Sequence, residues 1–126
     1  MIAFCTHCWS EIDAADDPCL KCHAHLGADS RSYEEKLVAA LAHPLPAARV
    51  RICWLIAENN LHLAVPALME AAVSDPDLYV RKAALEGLAA LQDPRSVPLL
   101  RKISESDNRF LARAVKRGLG RSTATK

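Results

Sequence analysis

The chain has 126 residues, 51% of them apolar and 25% charged, with a net charge of +1, which is the composition of a folded, water-soluble unit with a modest core. Alanine (22) and leucine (17) dominate, while valine, isoleucine and threonine together number 15; straight-chain residues lose little freedom in a helix and β-branched ones lose more, so helices are favoured and a β-sandwich is excluded. Charges and prolines interrupt every apolar run before the eighteen or so residues a membrane span needs, and the start lacks a basic segment followed by an apolar one, so no export signal is read and a reducing cytoplasm is the expected setting.

Charge is uneven along the chain. Residues 1–30 hold five acids and one lysine, residues 31–126 fifteen bases and ten acids, which suggests two modules. Residues 1–26 carry two Cys-x2-Cys pairs, Cys5/Cys8 and Cys19/Cys22, ten residues apart. Two such pairs supply four thiolates, enough for a tetrahedral shell, and zinc accepts four soft ligands without redox demand. A redox-active dithiol pair and disulfides are the alternatives. His7, His23 and His25 flank the cysteines but fall outside the paired positions, and read as solvent-exposed or outer residues. Four thiolates leave no open coordination position, so a metal here would fold the segment and perform no catalysis.

Gly27 to Arg31 read as a linker, with Asp29 or Ser30 available to cap the next helix. Six helices are then expected. The first, carrying Leu37, Val38 and Leu41, must end before His43-Pro44-Leu45-Pro46. The second runs from about 46 to 59, the third from Val65-Pro66 to Ser74, and the fourth breaks at Gln92-Asp93-Pro94. The fifth spans about 96–106 and the sixth about 109–120, leaving 121–126 as a tail. Cys53, inside Ile52-Cys53-Trp54-Leu55, reads as a small core residue. His43 and His62, beside turns, read as solvated.

A repeat underlies the helices. Ala64-Val65-Pro66-Ala67-Leu68 recurs as Ser96-Val97-Pro98-Leu99-Leu100, 32 residues on, and two helices per such period mean a solenoid in which each pair buries its face on the next. The run from Val80-Arg81-Lys82-Ala83 to Val97-Pro98-Leu99-Leu100 resembles the HEAT repeat of the short bacterial, phycobilisome-lyase-like type. The first copy departs from it, with His43 and Leu45 where turn aspartates are expected. Residues 1–26 resemble the small bacterial zinc ribbon in their spacing and in Glu11-Ile12, but carry Trp9 and His23 where that family has glycine after each cysteine pair. The resemblances imply an all-α fold: a short HEAT-repeat α-solenoid of about three helix pairs over 32–120, with a zinc ribbon over 1–26 and a linker at 27–31. They further imply a ladder between Asp75 and Arg81 that stacks repeats, and a partner-facing surface on the second helices that includes Trp54, Tyr79, Lys82, Glu86, Arg109 and Arg113. Trp54 sits in so apolar a run that core packing competes with exposure. Trp9 either docks the ribbon on the first helix pair or stands exposed.

Helix six carries Arg109, Arg113, Lys116, Arg117 and Arg121 as a basic stripe, expected opposite Phe110, Leu111, Ala114, Val115 and Leu119. Arg113, Lys116 and Arg117 could contact anions; a solvated terminal cap is the plainer reading. The chain contains no His-Glu dipeptide, no Gly-rich phosphate loop and no nucleophile elbow, so a non-catalytic adaptor for a protein partner is expected. Nucleic-acid binding through helix six and a zinc-thiolate redox switch are the alternatives.

Overall fold

The computed structural model of the protein describes residues 1–27 and 31–124, with side chains through residue 118. Asp29, Ser30 and the side chains of Leu119 and Arg121 therefore lie outside the described residues. Six helices follow a two-stranded sheet: α1 (Tyr33–Ala40), α2 (Pro46–Glu58), α3 (Val65–Ser74), α4 (Leu78–Leu91), α5 (Val97–Ser104) and α6 (Arg109–Ala124). The fold is all-α in the expected sense, a short solenoid of three helix pairs.

Local chemistry sets the boundaries. Ser32 caps α1 in a reciprocal box, its hydroxyl accepting from the Glu35 N–H while the Glu35 carboxylate accepts from the Ser32 N–H. Pro46 opens α2, where its missing N–H costs nothing. Asp77 caps α4 through the Tyr79 and Val80 N–H groups, and Asn108 caps α6 through that of Leu111. Asn60 and Gln92, both left-handed, turn the chain out of α2 and α4. α6 continues beyond Gly120, its expected end, to Ala124. Glycine stops a helix by turning left-handed; left in helical dihedrals it costs only about 1 kcal/mol.

α4 is the central helix, packed on α2, α3 and α6. Leu37, Ile52, Ile56, Leu68, Leu85, Leu88, Leu111 and Val115 are fully buried and form the core with the alanines between them, and Cys53 is buried there too. Small residues set the helix spacing: a Cβ on Gly118 would stand 2.8 Å from that of Ala89.

Two polar clasps tie the turns of successive repeats. Arg49 of α2 donates bidentately to Asp75, Nε to Oδ2 at 2.9 Å and Nη2 to Oδ1 at 3.2 Å, and donates Nη1 to the His43 carbonyl at 2.9 Å. Asp75 thus joins repeats, but not with Arg81 as expected: the Arg81 Nε donates to the Ala72 carbonyl at 3.2 Å. The reason is direction. Arg81 reaches back over its own helix pair, whereas Arg49 projects from the preceding pair towards the turn that holds Asp75. The second clasp uses His62, which is not merely solvated: its Nδ1 lies 3.0 Å from Asp93 Oδ2, while Arg95 donates to Asp93 through Nε and Nη2 and to the His62 carbonyl through Nη2.

The strands β1 (Ile2–Phe4) and β2 (Glu11–Asp13) pair antiparallel, with Ala3 opposite Ile12. The hairpin lies against the first helix pair. The Tyr33 hydroxyl donates to the Ile2 carbonyl at 2.7 Å, Arg51 Nε donates to Glu11 Oε1 at 2.6 Å, and Ile2 and Phe4 pack on the core.

Candidate metal centre and recognition face

The two cysteine pairs fold as copies of one another, fourteen positions apart. In the first, the Cys5 N–H donates to the Ser10 carbonyl and the Trp9 N–H to the Cys5 carbonyl; in the second, Cys19 donates to Ala24 and His23 to Cys19, all at 2.9–3.0 Å. Each turn also aims N–H groups at its leading sulfur: His7 and Cys8 at Cys5 Sγ, and Lys21 at Cys19 Sγ. Such a turn closes only if the residue after it is left-handed, and Trp9 and His23 have φ of 63° and 64°. The two positions where the zinc-ribbon pattern has glycine are thus strained side-chain-bearing residues.

The four sulfurs meet. Cys5 Sγ is 3.6 Å from Cys22 Sγ, Cys8 Sγ is 3.8 Å from Cys19 Sγ, and all four lie within 4.8 Å of one another. A tetrahedron with metal–sulfur bonds of about 2.3 Å has edges of about 3.8 Å, so the cluster has the dimensions of a four-thiolate metal site. Its surroundings tune the thiols unequally. Hydrogen bonds from Ser10 pull the Cys8 thiol down to about 6, and backbone N–H groups of Cys22 and Lys21 lower Cys19. Cys22 is pushed up to about 11: the Ala24 N–H lowers it, but desolvation and the neighbouring thiols outweigh that. Four adjacent thiolates repel one another unless a divalent ion lies between them. His7, His23 and His25 are exposed and stand outside the cluster. Cys53, 0% exposed and pushed up to about 12 by burial, takes no part in it.

His43 joins this centre to the helices, a role that its place beside a turn does not signal. Expected to be solvated, it is 4% exposed. Its ring packs edge-on between Phe4 and Trp9, with centroids at 5.6 and 5.3 Å. Nδ1 accepts from the Leu45 N–H at 3.1 Å, so Nε2 carries the proton and donates to the Trp9 carbonyl at 2.8 Å. Trp9 therefore docks the hairpin on the helices, and its neighbour in sequence is the ligand candidate Cys8.

Large aromatic side chains are exposed on the second helices α2, α4 and α6. Trp54 is 53% exposed, Tyr79 65% and Phe110 37%; Trp54 is thus a surface residue and not core. Tyr79 and Phe110 meet edge to face at 5.6 Å, and Lys82 Nζ sits 5.6 Å above the Phe110 ring. Helix six is oriented differently from expectation. Leu111, Ala114 and Val115 are buried, but Phe110 shares the exposed side with Arg113 and Arg117, one and two turns on. Arg109, Arg113 and Lys116 line a shallow cleft against Ser104, Glu105 and Ser106. Glu86 is half-buried.

A family model for HEAT repeats matches residues 34–120. The chain is a HEAT-repeat protein. Neither among curated proteins nor among solved structures does any match reach significance. HEAT repeats are characteristically protein-interaction scaffolds, and the exposed aromatic face lies on the second helices of this HEAT array. Among the described residues, no helix is long and apolar enough to cross a membrane.

Proposed function

We propose that the protein is a non-catalytic, protein-binding HEAT scaffold of the short phycobilisome-lyase-like type, working in the reducing cytoplasm, with a zinc ribbon at residues 1–26 as its end cap. The observation that carries the scaffold reading is the aromatic face. Trp54, Tyr79 and Phe110 are large side chains exposed on neighbouring helices, and such residues dominate protein recognition when a partner buries them. The partner-facing set is Trp54, Tyr79, Lys82, Glu86, Arg109 and Arg113. Affinity capture from nuclease-treated extract is expected to recover a protein partner that is lost with Trp54→Ala and Tyr79→Ala; a partner unaffected by both substitutions would sink the reading.

Zinc is the metal best suited to Cys5, Cys8, Cys19 and Cys22, because a closed four-sulfur shell with N–H···S bonds to its leading sulfurs favours a soft divalent ion without redox demand. Its role would be structural: Cys5, Cys8, Cys19 and Cys22 would hold it between the two turns, and its two positive charges would offset half of the negative charge on the four thiolates. Metal analysis of protein purified under reducing conditions is expected to find one zinc per chain, lost on Cys19→Ser and retained on Cys53→Ser.

A further inference from the structure

The α4 and α6 faces are in register. Tyr79 touches Phe110, and the same offset of 31 residues sets Lys82 level with Arg113 and Glu86 level with Arg117. A Cβ on Gly118 would lie 4.0 Å from the Glu86 Cα, which fixes this alignment at the lower end. By backbone level the strip therefore reads as an aromatic row, then a row of two basic residues, then a mixed row, with the Lys82 ammonium leaning back over Phe110. Lys116 and Arg109 add two more cations at its edge, and no ion pair engages Lys82, Arg109, Arg113, Lys116 or Arg117 among the described residues. Five bases against two acids, Glu86 on the strip and Glu105 in the adjoining cleft, leave this surface with a net positive charge.

We propose that this strip docks an acidic peptide segment of a partner protein, with one aromatic or leucine side chain seated on Tyr79 and Phe110 and carboxylates paired to Lys82, Arg113 and Arg117. The spacing follows from helix geometry. At about 1.5 Å of rise per residue, the cation row lies about 5 Å and Arg117 about 10 Å from the aromatic row. An extended peptide advances about 3.3 Å per residue, so the acids fall one to three residues from the apolar anchor. A polynucleotide fits less well. Lys82 already lies over the Phe110 ring and Tyr79 stands against it edge to face at 80°, so Phe110 does not offer a free face for a base to stack on. Residues 1–30, with five acids and one lysine, add repulsion for any long polyanion.

The inference rests on the scaffold reading and is tested separately from it. The probe is a short fluorescein-labelled peptide of glycine and serine carrying one phenylalanine followed by three glutamates, titrated against the metal-loaded full chain. Controls replace the glutamates by glutamines or the phenylalanine by glycine. The acidic peptide is expected to bind at least about tenfold more tightly than either control, with affinity falling as salt rises. Arg113→Glu with Arg117→Glu should cost about tenfold or more while leaving thermal unfolding nearly unchanged, since both side chains are exposed and neither holds an ion pair among the described residues. Equal affinity for the glutamine peptide, or no effect of the charge reversals, would overturn the proposal. So would an oligothymidylate that binds more tightly than the peptide and is lost on the same reversals. A random-peptide display selection separates the two levels. Enrichment of non-acidic peptides that depends on Tyr79 and Phe110 overturns the acidic specificity and leaves the scaffold reading standing; no enrichment overturns both.

Discussion

At the scale of single residues, the least comfortable positions flank the cysteines. Trp9 and His23 hold left-handed backbone that costs a side-chain-bearing residue about 1 kcal/mol. They tolerate it for different reasons. Trp9 recovers the cost by packing on His43 and accepting its hydrogen bond, whereas His23 is exposed and gains nothing comparable. His23→Gly should accordingly tighten metal binding about fivefold, since folding and metal binding of so small a unit are one event, and Trp9→Gly should weaken it; competition with a chromophoric chelator measures both. The sequence already marked these as the two departures from the zinc-ribbon pattern. It did not reveal which of them was compensated, because the compensating residue lies 34 positions away.

At the scale of elements, the clasps between turns decide how repeats stack. Asp75 receives the Arg49 guanidinium with both partners largely withdrawn from water, and removing one member of such a pair leaves an uncompensated charge. Arg49→Ala should cost about 3 kcal/mol, and Arg81→Ala, which loses one bond to a carbonyl, about 1 kcal/mol; thermal unfolding of the two variants ranks them. The Asp93 clasp predicts a pH dependence. Arg95 above all, through its guanidinium and N–H, and then His62 hold the Asp93 carboxyl well below the usual carboxylate range. A depressed carboxyl stabilises the fold above its unfolded value of about 3.9 and loses that contribution as pH falls through the folded value. The gap in melting temperature between wild type and Asp93→Asn should therefore be widest near neutral pH and shrink below about pH 4. Helix existence and order were legible from periodicity and from prolines at first turns. The pairing of Asp75 was not, because a 32-residue repeat with slips of a residue leaves open which arginine faces which turn. Phe110 was misplaced for a related reason: a helix with small residues on its inner face has an apolar arc too wide to say where burial stops.

At the scale of the whole molecule, the hairpin occupies the place of a missing repeat. His43 stands 32 positions before Asp75 and copies its turn: His43 Nδ1 accepts from the Leu45 N–H as Asp75 Oδ1 accepts from that of Asp77. The other polar atom of each reaches back to the preceding unit, from Asp75 to Arg49 and from His43 to the Trp9 carbonyl. The histidine that broke the HEAT pattern in the first copy is thus the adaptor that lets a different fold cap the array, as the ends of solenoids require. Chelating the metal should leave most of the helical circular-dichroism signal but lower the melting temperature by several degrees, because Ile2 and Phe4 then no longer cover the first pair; an unchanged melting temperature would show that the hairpin is a passive appendage. The two tryptophans also report on different environments, one half-buried against His43 and one exposed on α2. Trp9 lies beside His43 and next to Cys8, so its emission should follow occupation of the candidate metal centre, while Trp54 faces solvent and should shift if a partner covers the proposed docking face. Replacing either one by phenylalanine would leave a chain whose intrinsic fluorescence reads a single event, cap closure or partner docking, without any added dye.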